Sequence, residues 1–464
     1  MSQPLFPPRQ ERQRIDHALT AMLDTAEQRV LAGAVVPSFD HSRFARELAG
    51  FTFDTPRACE ATLAWLIDQM EHGLVHVNHP RYFGLFNPSP TFPARCADRI
   101  EAAFNPQLAT RTTSPAAVDI ENHLIAAVAA RLGLPTGSGG HFTSGGAEAN
   151  YTAVLLALSR ASPAFGEHGV RAFPGQPVFY ASRESHLAWI KIAAQAGLGR
   201  AAVRLVATDG HGQLDPAALA DAIETDRALD CCPFMIAATA GTTNAGMIDP
   251  LNACADLAAR YGIWLHVDAA WAGALIAVPN RRHHLAGIER ADSVTVDGHK
   301  WFATTMGCGM FVTRHPALLG STFHVAASYM PSRAAAVDPY MSSMQWSRRF
   351  LGLRLFLSLA AAGWEGYAAH IEQTLAMSDL LRQQLAERDW RTVNASPAGV
   401  LCLLPPQPAP VRPIVERVLA SGRAWVSVAS FEGREVMRVC VTSGLTTADD
   451  VAALVSTLMQ AETT

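Results

Sequence analysis

From about residue 114 to residue 316, short apolar runs alternate with amphipathic stretches, and this alternation narrows the fold more than any other feature of the chain. Runs at 177–181, 203–207, 234–239, 263–267, 293–296 and 309–313 read as strands. Patterns between them, such as 216–223 and 252–261, have helical apolar spacing. Strands alternating with helices at these intervals imply an α/β fold with a mostly parallel sheet covered by helices on both faces.

Upstream, Ile15, Leu19, Met22, Leu23 and Val30 mark a helix over 10–31, and Leu63, Leu66 and Met70 mark another over 55–73. Residues 79–93 are rich in Pro, Phe and Asn and cannot form a helix interior; they read as an extended arm. Downstream, a long apolar helix over 350–362 leads into helices and short strands ending near Met459. The expected division is an N-terminal helical arm (1–85), a large domain (86–345) and a small C-terminal α+β domain (346–464). No internal repeat is present.

Composition removes several function classes. With 49% hydrophobic and 17% charged residues, the chain is an ordered globular protein. A net charge of −4 without a basic run gives no reason to expect nucleic-acid binding. No stretch reaches the roughly 18 apolar residues of a membrane helix, and residues 1–14 lack an apolar signal core. The eight cysteines are scattered, and Cys231-Cys232 lacks metal-ligand spacing, so they read as reduced thiols of a cytoplasmic protein. Arg281-Arg282-His283-His284 reads as exposed loop, and no metal is assigned.

Ligands of an open α/β sheet bind at the carboxyl ends of its strands, and four features fall there. Thr143-Ser144-Gly145-Gly146-Ala147 opens a helix, where close backbone approach and unpaired N–H groups suit a phosphate. Without a Walker lysine or G-x-G-x-x-G spacing, it serves equally as a plain helix entrance. Asp268 ends the apolar run Trp264-Leu265-His266-Val267 and is followed by small residues. Ser185-His186 follows the run ending at Ala181. The fourth is His299-Lys300. Lys and Arg together number 37, yet only Lys191 and Lys300 are lysines. Compositional bias accounts for the scarcity, but not for where the survivors sit. A desolvated lysine can form a Schiff base, and arginine cannot.

Together, a phosphate cradle, a strand-end carboxylate, a strand-end histidine and a reactive lysine are the parts pyridoxal phosphate needs. At this point the sequence resembles the pyridoxal-phosphate-dependent group II amino acid decarboxylases, which include aromatic amino acid, glutamate, cysteine sulfinate and diaminobutyrate decarboxylases. The matching stretches lie at 142–150, Ser185-His186, 240–243, 266–271 and 291–300, in family order over roughly residues 75 to 355. The resemblance implies a fold-type-I, aspartate-aminotransferase-like architecture and a homodimer with shared active sites. It implies Lys300 as the Schiff-base lysine, Asp268 as partner of the pyridinium nitrogen and His186 as the ring-stacking residue. Gly146, Ala147 and His299 would contact the phosphate, and Thr243 and Ala270 would line the ring.

The implied activity is decarboxylation of an L-amino acid to an amine, with Tyr329 matching the family's proton donor on a loop beyond the lysine. Family members with Phe there divert to aldehyde formation. Oxidative decarboxylase-deaminases, aminotransferases and other lyases of this fold type share Lys, Asp and His, so they stay open as alternatives. A phosphate-binding protein without catalysis would use only the glycine cradle. Leu85, Phe86 and Asn87 match the substrate-pocket segment, and Arg111 lies in the segment the partner subunit contributes. Which amino acid is the substrate, and what Lys191 does, is left open by the sequence.

Overall fold

The computed structural model describes residues 5–325 and 338–463. Among the described residues two sheets form, and the larger has seven strands in the order β1-β7-β6-β5-β4-β2-β3. These are β1 (Gly139–Thr143), β2 (Pro177–Ser182), β3 (Val203–Val206), β4 (Cys232–Thr239), β5 (Trp264–Asp268), β6 (Ser293–Asp297) and β7 (Gly309–Thr313). β7 runs antiparallel to both neighbours, β1 and β6, while the β2–β3, β2–β4, β4–β5 and β5–β6 contacts are parallel. The expected parallel sheet is therefore present, with one reversed strand that forms a hairpin with β6.

Every residue of β2, β5 and β6 is buried, as expected for strands covered on both faces. Alternate side chains enter different cores. Val178, Tyr180, Leu265, Val267, Val294 and Val296 join one apolar cluster, covered by Pro115–Leu132, Pro216–Ala228 and Leu251–Tyr261. Phe179, Ala181, Met235, Trp264 and Phe311 join the other, under Gly146–Ala161 and Ala188–Gln195. Local chemistry sets these helix ends. Asp215 accepts hydrogen bonds from the N–H groups of Ala217 and Ala218 ahead of Pro216, and Gly262 ends Leu251–Tyr261.

The first two expected helices are present as Arg9–Ala32 and Cys59–Gly73. Residues 79–91 run irregularly, but Phe92 opens a helix to Phe104, with Thr91 accepting from Ala94 N and Pro93 in the first turn. The helix expected over 350–362 is the first part of Leu353–Ala386, whose helical geometry breaks at Gly363 (φ 65°). Beyond it β8 (Arg391–Thr392), β9 (Val400–Leu404), β10 (Ser427–Phe431) and β11 (Arg434–Cys440) form an antiparallel sheet in the order β10-β11-β9-β8.

Residues 81–84 pass into this small sheet region. Phe83 N donates to Trp425 O (3.0 Å), and Phe83 O accepts from Cys440 N (3.1 Å). The Phe83 ring is fully buried with Leu401, Leu403 and Val439. A Cβ at Gly84 would fall 2.2 Å from the Trp425 ring, so the approach requires glycine. Among the described residues no helix is long and apolar enough to cross a membrane.

Candidate active site

The carboxyl ends of β1, β2, β4, β5 and β6 converge on a cavity of about 200 Å³ whose lining includes Gly146, His186, Thr243, Asp268, Asp297 and Lys300. Gly145, Ala147, Asn150, Thr239, Ala270 and Phe86 complete most of the wall. A larger, open depression of about 530 Å³ is lined by Gln213, Asp249 and His284. Both Asp249 carboxylate oxygens accept backbone N–H groups, from Leu214 and Thr239, so that carboxylate serves structure.

Asp268 ends β5 and is buried. Its Oδ2 accepts from Asn150 Nδ2 (2.7 Å) and its Oδ1 from Ala270 N (3.1 Å). Lys300 follows β6, and its Nζ lies 3.2 Å from Asp297 Oδ2. His186 follows β2, with Nδ1 accepting from Ala188 N (3.1 Å). Burial lowers the His186 pKa, and the positive charges of Lys300 and Lys191 act in the same direction; Asp268 and Asp297 oppose them.

The glycine turn works through its backbone. A Cβ at Gly146 would lie 2.9 Å from Asp297 Oδ2, so no side chain fits there. Ser144 turns away: its N–H and its hydroxyl both donate to Glu148 Oε2. His299 is buried beside the turn, with Nδ1 accepting from Cys308 N (3.2 Å). Its Cε1 lies 3.5 Å from where a Gly145 Cβ would be.

Of the substrate-side candidates, Phe86 lines the cavity; its ring stacks on Trp271 (4.1 Å between centroids), which stacks on Trp301 (4.4 Å). Leu85 is 45% exposed and lies outside the cavity lining. Asn87 Nδ2 contacts Met306 Sδ (3.3 Å). Arg111 pairs with Asp119 (3.0 Å) on the surface, so within one chain it is away from the cavity. Lys191 is exposed on Ala188–Gln195. Tyr329 lies outside the described residues. Among those described, no group of three or more His, Cys, Asp or Glu side chains is arranged to hold a metal ion.

Sequence reasoning missed Asn150, Thr239, Asp297 and Arg438. Arg438, 2% exposed on β11, donates from Nε to Thr243 O and from Nη1 to Gly84 O, and its guanidinium covers the Phe86 ring at 4.7 Å. Its Nη2 has no hydrogen-bond partner among the described residues. An arginine inside the apolar run Val436-Met437-Arg438-Val439 was a visible signal, because a buried charge needs a partner.

The sequence matches the pyridoxal-dependent decarboxylase conserved domain over residues 56–402. It is 30% identical to tryptophan decarboxylase 1 of Oryza sativa subsp. japonica over 416 residues, covering 83% of this chain and 81% of that protein. It is 35% identical to cysteine sulfinic acid decarboxylase of Rattus norvegicus over 325 residues, 68% of this chain and 65% of that protein. The fold superposes on the crystal structure of Oryza sativa TDC with PLP and tryptamine with a TM-score of 0.92 at 27% identity, covering 100% of this chain and 99% of that one.

Proposed function

The chain belongs to the pyridoxal-dependent decarboxylase family, and on that premise we propose how its own residues bind the cofactor and direct loss of carbon dioxide from an L-amino acid. It is a pyridoxal-phosphate-dependent amino acid decarboxylase of fold type I. The residues present fit the cofactor. Gly146 leaves no room for a Cβ, as backbone contact with a phosphate demands, and the helix it opens presents N–H groups. Thr239 Oγ1 and Asp297 Oδ1, both on residues lining the cavity, are buried without a hydrogen-bond partner among the described residues, so a polar occupant would satisfy them.

Bound there, pyridoxal phosphate supplies an electron sink for the pair released as the Cα–carboxylate bond breaks. Lys300 would be the residue that holds the cofactor covalently through its amine. Asp268, an acceptor-only carboxylate fixed by Asn150 and Ala270 N, keeps a proton on the ring nitrogen. His186 would cover one ring face, Thr243 and Ala270 would flank the ring, and Gly146, Ala147 and His299 would hold the phosphate. Phe86, with Leu85 and Asn87 beside it, shapes the substrate side, and Arg438 backs the Phe86 ring. Holding the scissile bond perpendicular to the ring is the orienting task that falls to these groups. Tyr329 returns a proton to Cα. Tyr329→Phe should turn part of the product from amine to aldehyde and ammonia at the expense of dissolved oxygen; amine alone at the parental rate would remove Tyr329 from this role.

We place the enzyme in the cytoplasm as a homodimer. All eight cysteines are free thiols, in keeping with a reducing compartment. Phe92 and Phe104, 71% and 81% exposed, give the helix they bound an apolar surface suited to a second copy, which would also bring Arg111 to the other site.

The observation that carries this reading is the meeting of Lys300, Asp268 and His186 on one strand-end cavity. Lys300→Ala should abolish both the cofactor's visible absorption band and amine production, while Lys191→Ala keeps both. The reverse result would overturn the lysine assignment. Scoring carbon dioxide, amine and aldehyde across a panel of L-amino acids identifies the substrate.

A further inference from the structure

Behind Asp268 lies a set of buried polar side chains, of which Asn150 alone lines the cavity. Trp264, His266 and Asp268 alternate along β5 and so share one face of the sheet; Ser293 and Thr295 on β6 share it too. The parallel register sets His266 beside Ser293 and Asp268 beside Thr295. Gly146–Ala161 covers this face and supplies Asn150. His266, Ser293 and Thr295 have no exposed surface at all.

The contacts form one line. Trp264 Nε1 donates to Ser293 Oγ (2.8 Å), and Ser293 Oγ lies 2.8 Å from His266 Nδ1. His266 Nε2 lies 3.0 Å from Asn150 Oδ1, which also accepts from Thr295 Oγ1 (2.7 Å). Asn150 Nδ2 donates to Asp268 Oδ2 (2.7 Å). The chemistry of the two ends fixes the direction, since an indole N–H only donates and a carboxylate only accepts. Ser293 therefore gives its proton to His266 Nδ1, His266 carries its own on Nε2, and Asn150 turns its amide nitrogen to Asp268. Burial holds His266 neutral, with its pKa pushed down to about 4 against the pull of Asp268, so the ring has one donor and one acceptor.

We infer that this chain of four hydrogen bonds locks the Asp268 carboxylate as an acceptor, and that His266 is a positioning residue of the reaction, acting through Asn150. The inference rests on the assignment of Asp268 to the cofactor's ring nitrogen. Protonating Asp268 on this side would require the Asn150 amide to flip and the His266 proton to move to Nδ1. Ser293 Oγ would then receive protons from both Trp264 and His266, and its own hydroxyl would lose its acceptor. Each rearrangement is buried, where an unmade hydrogen bond is costly. The carboxylate is thus stabilised by a relay that reaches the opposite end of β5.

The test uses the loaded enzyme with His266→Leu, His266→Gln, Ser293→Ala and Thr295→Val, the last nearly isosteric. His266→Leu should weaken cofactor retention about tenfold and move the midpoint of the pH titration of the visible band by about one unit, the scale of one hydrogen bond to a charged group. Turnover should fall through kcat with KM held. His266→Gln, which can restore an N–H donor to Asn150, should recover most of these changes. A folded His266→Leu variant with parental retention, titration and kcat overturns the lock. If that variant does not fold, Thr295→Val and Ser293→Ala decide: smaller changes of the same sign support the lock, and parental values overturn it. Asp268→Ala separates the two claims, because an unchanged titration in that variant would remove the ring-nitrogen assignment itself.

Discussion

The two faces of β5 and β6 are equally hidden from water and built on opposite principles. Leu265, Val267, Val294 and Val296 project into a continuous apolar cluster. Trp264, His266, Asp268, Ser293, Thr295 and Asp297 project the other way, and all but the indole body is polar. On the first face, stability comes from area removed from water and needs only the right volumes. On the second, each polar group must be matched to a neighbour, and what results is a carboxylate of fixed charge and direction. Parity of position along a strand therefore separates packing from chemistry, residue by residue, where burial alone does not.

The comparison is broken most severely at Asp268. Asp268→Ala should lower kcat about 100- to 1,000-fold per folded molecule, the scale of one preorganised electrostatic contact. Early melting with parental turnover per folded molecule would erase the distinction between the faces. Its neighbour in sequence supplies the converse. Leu265→Ala should cost about 2–5 kcal/mol, as for other buried leucines, and appear as a lower melting temperature with unchanged kcat in the folded fraction. A selective loss of kcat there would show that the apolar face also sets the site.

The smallest effect is on pH and sharpens the comparison. Burial pushes the pKa values of His79, His141 and His266 from the ordinary 6.5 down to about 4. Folding thus favours their neutral forms, and this contribution is complete above about pH 6.5 and lost as pH falls toward 4. Asp249, pushed up to about 6 by burial, runs the other way and gains stability as pH falls from 6 through 3.8. Three imidazoles against one carboxyl predict a melting temperature that declines from about pH 6.5 to about 4.5. A flat or rising profile would mean that one of these histidines is charged in the folded protein.

Much of this was legible in the sequence because the chemistry is periodic or local. The parallel strands announced themselves as apolar runs between helical patterns, and Asp268, His186 and Lys300 stood at strand ends where the fold exposes ligands. β1 escaped notice because Gly139-Gly140 gives it no strand signal. Asn150 lay inside a recognised stretch, yet its partner is 118 residues away, and only the register of β5 against the covering helix brings them together. Arg438 was hidden for the same reason, since its neighbours Gly84 and Thr243 come from distant parts of the chain.

The seating of Phe83 has a practical side for anyone dividing this chain into pieces. A fragment begun after residue 85 would leave the backbone of Trp425 and Cys440 without their partners and the slot around Leu401 and Val439 empty. It would present an unpaired strand edge beside an open apolar groove, the combination that drives sheets to add to one another. The last hundred residues should therefore be expressed with the segment around Phe83 attached or supplied as a second peptide, and the solubility of the two preparations would measure what that one residue contributes.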